Sequence, residues 1–187
     1  MRIEKLKEKY ELRVSFTHFP LHPDTPEEGQ TLEEMFAGRN MDIPAMKARM
    51  KALMAEEGLP YGDRDSTYNS RLAQELGKWA EGQPGGEAIH DALFRAFFVD
   101  LVNLAKLDKL VEIAGKVGLD EAEARRVLEE RTFKDAVDAD WKRSVEMGVT
   151  GVPTFVANGV GVVGAQPYET LEQLVQKAGA VPREGGK

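Results

Sequence analysis

One stretch limits the fold of this chain more than any other. From Gly148 to Gly164 it reads Gly-Val-Thr-Gly-Val-Pro-Thr-Phe-Val-Ala-Asn-Gly-Val-Gly-Val-Val-Gly. Asn-Gly between two β-branched runs is a strong hairpin signal, because both turn residues must accept positive φ. It predicts strands over Thr154–Ala157 and Val160–Val163, and a helix ends just before them at Gly148. Pro153 lacks a backbone donor, so it belongs at the first residue of a strand or on an edge. Val152-Pro153 is also the kind of peptide bond that turns cis at small cost. From these residues alone, a trans proline marking a strand start and a cis proline both fit.

The rest of the chain supplies one more strand and many helices. Residues 2–9 alternate charge, carry Ile3 and Leu6 on one face, and read as the last turns of a helix whose start has no cap. Leu12, Val14 and Phe16 alternate with Arg13, Ser15 and Thr17, the pattern of a strand with one buried face. Pro20 and Pro23 end it. From about residue 31 to 147 the chain is nearly all helix. Thr31 to Gly38 is short. Asp42 caps a helix that has Pro44 in its first turn and stops at Gly58. A helix follows from about Thr67 with Leu72, Leu76 and Trp79 on one stripe, broken by Gly82-Gln83-Pro84-Gly85-Gly86. Glu87 to about Asn103 is the most apolar helix. Asp108 to Val117 follows, capped by Asp108. Asp120-Glu121-Ala122-Glu123 has the pattern of a capping box, and Thr132 is placed to cap a helix to Gly148 through Val137, Trp141 and Val145. The last helix runs from Tyr168 to Ala178. The order is helix end, strand, helical insertion, strand, strand, helix.

That order resembles the DsbA-like branch of the thioredoxin fold, an α/β class with a large all-helical insertion. Within the branch the chain is most similar to FrnE-type proteins, relatives of 2-hydroxychromene-2-carboxylate isomerases and kappa-class glutathione transferases. The resemblance rests on Val14 to Gly29, on Tyr68-Asn69-Ser70-Arg71-Leu72-Ala73, and on Ala92-Leu93-Phe94-Arg95-Ala96-Phe97-Phe98. Its most specific parts are Gly148 to Val156 and Val163-Gly164-Ala165-Gln166. It implies a thioredoxin-like part over 1–24 and 148–180 and an insertion subdomain over 25–147; the Pro-, Gly- and charge-rich composition of 181–187 predicts a flexible tail. It also implies that Val152-Pro153 is cis and that Gly151, Val152 and Pro153 bind an extended peptide or protein substrate through their backbone. The activity implied is thiol–disulfide exchange by a Cys-x-x-Cys at the start of the first helix.

The chain has no cysteine. No catalytic residue is therefore assigned, and redox inactivity is expected as the chain stands. The first strand of the fold and the motif after it would lie ahead of Met1. The uncapped helix start reads as a chain begun at an internal Met; a true pseudo-enzyme is the alternative. With the central strand absent, Leu12–Thr17 is expected to pair directly with Thr154–Ala157, or the gap to be filled by another chain, as in a homodimer. Two other functions stay open: an isomerase-like or glutathione-using relative, and a non-enzymatic module that binds a peptide or partner.

Other chemistry is excluded or weak. Gly159-Val160-Gly161-Val162-Val163-Gly164 spells a dinucleotide fingerprint, but it reads as a strand where the fingerprint needs a turn into a helix. His18 and His22 are separated by proline. Glu87 and His90 have the spacing of half a di-iron site with no second half. With three histidines and no cysteine, no metal and no cofactor are expected. Met41, Met46, Met50 and Met54 read as core filler. A net charge of −7 argues against nucleic acid. No long apolar run argues for a membrane, and the cytoplasm is the expected location.

Overall fold

A computed structural model of the chain describes residues 2–183. In chain order its elements are α1 (Arg2–Lys9), β1 (Gln30–Thr31), α2 (Leu32–Met35), α3 (Ile43–Glu56), β2 (Ser66–Thr67), α4 (Arg71–Ala80), α5 (Ala88–Phe98), α6 (Leu107–Lys116), α7 (Glu121–Glu129), α8 (Lys134–Glu146), β3 (Thr154–Ala157), β4 (Val160–Val163) and α9 (Tyr168–Lys177). They divide into two compact units, Met1–Leu21 with Asp140–Lys187, and His22–Ala139. The sequence sets these breaks at 24/25 and 147/148. None of the described helices is long and apolar enough to cross a membrane.

The first unit is built on the hairpin. β3 and β4 pair antiparallel, with Phe155 opposite Val162 and Val156 opposite Gly161. Asn158 and Gly159 take φ of 48° and 78°, the two positive values that a two-residue turn of this hand requires. Phe155 and Val162 share a face by alternation. That face packs on Leu6 and Tyr10 from the end of α1 and on Leu171 from α9. Burial of these side chains is the main stabilising term, at roughly 1.5–3 kcal/mol for each large one fully buried. A polar clasp fixes the register of the two helices. Glu172 Oε1 accepts from Lys9 Nζ at 2.7 Å and from the Tyr10 and Tyr168 hydroxyls at 3.1 Å each, and Gln176 Nε2 donates to the Tyr10 hydroxyl at 2.6 Å. The opposite face of the hairpin leaves Val156 and Val163 exposed.

Two expectations fail in this unit. Leu12–Thr17 forms no strand: residues 11–20 are neither helix nor strand, and Val14 and Phe16 are 45% and 49% exposed. Nor does the segment pair directly with Thr154–Ala157, since β4 is the one ladder neighbour of β3 among the described residues. Alternation decides which face a strand buries once it has a partner. It does not supply the partner, and cross-strand pairing is what stabilises an extended segment. The tail also departs from expectation at its start. Glu11 N–H donates to Val181 O at 2.8 Å, Arg183 N–H donates to Lys9 O at 2.9 Å, and Tyr10 bridges to Pro182. Residues 184–187 of that tail lie outside the described residues.

The second unit is helical around Leu76, Ile89, Leu110 and Leu128, all at most 2% exposed. Helix starts follow the sequence where a side chain does the capping. Thr31 and Glu34 form a reciprocal capping box, Asp42 Oδ1 accepts from Ala45 N–H at 2.9 Å, and Asp120 Oδ1 accepts from Glu123 N–H at 2.8 Å. Other boundaries differ. Ser66 and Thr67 pair with Thr31 and Gln30 in a two-residue ladder, so α4 begins at Arg71. Asn69 makes that start: its Oδ1 accepts from Arg71 N–H at 2.9 Å, while its Nδ2 donates to Pro23 O and Thr25 O at 3.1 and 2.9 Å. α5 ends at Phe98, and Leu101 has φ of 58°. Asp108 sits inside the first turn of α6, ion-paired with Arg125, rather than at its cap. Thr132 donates its hydroxyl to Val127 O and caps nothing. The methionine reading is also corrected. It fails at two of its four positions: Met41, ahead of α3, and Met50, within it, are exposed, while Met46 and Met54 are half-buried.

One polar group lies deep in this unit. Glu75, 1% exposed, accepts from Arg71 Nε and from Arg131 Nε and Nη2, each at 2.7 Å. Arg71 also reaches Asp138 at 2.7 Å and Lys134 O at 2.7 Å. The cluster ties α4 to the α7–α8 turn, where Arg131 takes φ of 56°. Burial alone would raise the Glu75 carboxyl; the two guanidiniums outweigh it and hold the group below the ordinary carboxylate range.

Candidate functional site

The residues singled out by sequence, Gly151, Val152 and Pro153, form a loop between α8 and β3. α8 ends in a Schellman motif. Gly148, at φ 70°, donates its N–H to Val145 O at 2.9 Å, and Val149 N–H donates to Ser144 O at 3.0 Å. A side chain at Gly148 would resist this left-handed turn, so the glycine sets the direction in which the loop leaves the helix. At the far end Thr154 Oγ1 donates to Gly151 O at 2.6 Å, and Gly164 N–H donates to Pro153 O at 2.7 Å. The Val152–Pro153 peptide bond is cis.

The middle of the loop is left open. Val152 is 51% exposed, and its backbone N–H and C=O take no hydrogen bond from the described residues. A Cβ built on Gly151 would meet no atom within 4 Å. No packing inside the unit therefore requires a glycine there. What its missing side chain provides is an unobstructed backbone beside Val152.

A second short segment braces the first. Gly164, Ala165 and Gln166 follow β4 and turn alongside Pro153 through the Gly164–Pro153 bond. Gln166 Nε2 donates to Val163 O at 2.5 Å, and Gln166 N–H donates to Gly164 O at 2.8 Å. Arg2 on α1 donates through Nη1 to Ala165 O at 3.2 Å and Gln166 O at 2.7 Å. Sequence reasoning missed Arg2 as a brace. It stands more than 160 positions away, and no local pattern marks such a contact. Thr154 is a strand residue by its pattern, and nothing in that pattern marks its hydroxyl bond back to Gly151.

The other sequence candidates do not join this loop into a reactive group. His18 lies in the first unit, where its backbone N–H donates to Asp140 Oδ2 at 3.2 Å. His22 lies in the second unit, lowered by burial and by Arg39. Glu87 stands just before α5, and His90, 8% exposed, faces Glu81 Oε1 at 3.6 Å instead. Burial lowers His90 more than Glu81 and Asp91 raise it, so the imidazole is neutral near pH 7 and the contact is not an ion pair there. Val160–Val163 is strand β4, which removes the dinucleotide reading. Among the described residues no cluster of His, Asp and Glu is placed to hold a metal ion. A cavity of about 320 Å³ opens in the second unit between Ile43, Lys47, Lys51 and Tyr61. Its Lys47 ammonium is held by Asp63 at 2.8 Å and by Asp65. In chemical terms the loop presents exposed backbone donors and acceptors and no thiol.

Comparison with known proteins agrees with this architecture. A family model for the DSBA-like thioredoxin domain matches residues 1–176. The uncharacterized protein YwbO of Bacillus subtilis is 31% identical over 105 residues, covering 56% of this chain and 52% of that protein. The ClpXP adapter protein SpxH of Halalkalibacterium halodurans is 29% identical over 118 residues, covering 59% of this chain and 38% of that protein. The chain thus spans about half the length, or less, of these curated relatives. Among solved structures, one described as a probable DsbA oxidoreductase from Streptomyces coelicolor superposes with a TM-score of 0.77 at 32% identity, covering 84% of this chain and 71% of that one. A 2-hydroxychromene-2-carboxylate isomerase superposes with a TM-score of 0.70 over 95% of this chain and 85% of that one, but at 18% identity this likeness is of the fold.

Proposed function

We propose a function from one premise: the chain belongs to the DSBA-like thioredoxin domain family. Its fold is the DsbA-like thioredoxin fold, helix-rich with a small sheet. Its 187 residues contain no cysteine. Thiol–disulfide exchange proceeds by attack of a thiolate on a disulfide sulfur, and these residues supply no thiolate. The FrnE-type feature that these residues carry is the cis-proline recognition loop. The chain binds an extended, disulfide-bearing or unfolded polypeptide at Gly151-Val152-Pro153 and does not itself exchange the disulfide. The observation that carries this reading is the Val152 backbone. Among the described residues its N–H and C=O have no partner, and Val152 is half-exposed on a loop braced at both ends by Gly148, Thr154 and Gly164. An extended peptide satisfies such groups by β-type pairing.

The test is a titration of the isotope-labelled chain with thiol-blocked insulin B chain, followed by amide chemical shifts. Shifts concentrated at Gly151, Val152 and Thr154 are expected. Gly151→Val, whose Cβ has open space in the free protein, should keep the fold and weaken binding. Uniformly unmoved loop amides would refute peptide recognition. Turnover of insulin disulfides by the purified chain would refute the redox-inactive half of the proposal.

A further inference from the structure

α3 is poorly covered by its own unit. Of its residues Ile43–Glu56 only Ile43 is buried. Ile43, Met46, Met50, Leu53 and Met54 recur at spacings of three and four and so share one apolar face. The core takes the first of them and leaves the others. Met46 and Met54 are half-buried, and Met50 and Leu53 are 43% and 47% exposed. A helix of this length draws most of its stability from packing its apolar face, and here the second half of that face is open.

Charge says what the face accepts. Arg49, three residues after Met46 and four before Leu53, borders the stripe on one side. Lys47 and Lys51, three residues before Met50 and Met54, border it on the other. Lys47 is already bonded to Asp63 and Asp65. Arg49 and Lys51 make no ion pair among the described residues, and Asp63 feels Lys51 only through space. The acid of the helix, Glu56, stands in its last turn. In a chain of net charge −7, the flanks of this stripe are a local basic exception.

We propose that α3 docks an acidic amphipathic helix of a partner protein. The partner's apolar side chains lie on Met50, Leu53 and Met54, and its carboxylates meet Arg49 and Lys51. Unbranched methionines let such a face adapt to what it binds. A polypeptide is the occupant rather than an anionic membrane. α3 has no aromatic side chain to seat at a lipid interface, and the net charge of the chain opposes anionic lipid. The α3 of a second copy would bring cations against cations. The site lies in the second unit, and the proposal does not depend on peptide recognition at Val152.

Fluorescence anisotropy of labelled synthetic peptides with the full chain tests this. The probe is roughly 15 residues long, with Leu at helical spacing on one face and Glu flanking it; a second probe has Lys in place of Glu. The Glu probe should bind, and the Lys probe should bind about tenfold more weakly or worse. Leu53→Asp should weaken the Glu probe by about tenfold or more. Arg49→Glu combined with Lys51→Glu should reverse the preference between the probes. All three side chains are exposed, so circular dichroism of these variants should remain that of the folded chain. Val145→Asp, at a 65% exposed position on α8, should bind as the parent does. A Glu probe that fails to bind, binding indifferent to Leu53→Asp, or equal affinity for the two probes overturns the proposal. So does parent binding to phosphatidylglycerol vesicles that Leu53→Asp abolishes, which would assign the face to a membrane. A dimer in sedimentation velocity that Leu53→Asp dissociates would assign it to a second copy and overturn the proposal equally.

Discussion

Replacing Glu75 by Gln should destabilise the helical unit by about 2–3 kcal/mol, a figure that follows from who surrounds it. The side chain is 1% exposed and receives three charge-assisted bonds at 2.7 Å from Arg71 and Arg131. Gln keeps one acceptor oxygen but turns an NH₂ toward a guanidinium, so a donor faces a donor. Breaking a fully buried pair costs about 3–5 kcal/mol. Two features here reduce that. Arg131 is 41% exposed and regains water, and Arg71 keeps Asp138 at 2.7 Å. The cost should appear as a fall of roughly 4–12 °C in melting temperature, at about 2–4 °C per kcal/mol for a chain of this size. Urea unfolding followed through Trp79, 3% exposed on the same helix, measures it directly. The loss should persist in high salt, because a buried pair is little screened. The pH dependence has a definite sign. Glu75 is held below its ordinary value of 4.5, so its contribution is present in full above that pH and disappears as pH falls through the depressed value. The Gln variant should lack that acid limb. A loss below about 0.5 kcal/mol at pH 7 would place Glu75 among ordinary surface ion pairs and refute the reasoning.

Three further outcomes follow from other sites. Gly86→Ala should cost about 3 kcal/mol or prevent folding, because the added Cβ would stand 1.7 Å from Ala80 O, a backbone atom that cannot swing aside; soluble expression and thermal melting decide it. Thr31→Ala should remove the α2 capping box at a cost of about 1 kcal/mol, read by urea unfolding, while Glu34→Ala in the Thr31→Ala background should add little. His90 is lowered by burial from 6.5, so stability should decline as pH falls below that value, and His90→Gln should flatten this limb in melts taken across the same range.

How much of this was legible depends on the reach of each interaction. Asp42 and Asp120 are legible because a cap is settled within four residues. The hairpin was equally local, since Asn158 and Gly159 accept the positive φ that closes it. The Glu75 cluster was not legible. Arg71 is a helical neighbour at four residues, but Arg131 arrives from 56 positions away through a turn that no pattern announces. Arg2 bracing Ala165 and Gln166 is hidden for the same reason.

The stretch from Leu12 to Thr17 shows the limit most directly. Its alternation states a preference between two faces, and that preference holds only after another strand has taken up its N–H and C=O groups. The hairpin carries its partner a turn away and forms. The segment at 12–17 has its anchor at Leu12 against the core and its edge-seeking pattern beyond it, but no ladder among the described residues. An extended chain with exposed Val14 is then as well solvated as paired, because water satisfies the backbone that a neighbour does not. A periodic pattern therefore encodes a strand conditionally. Among the described residues no ladder meets that condition at 12–17.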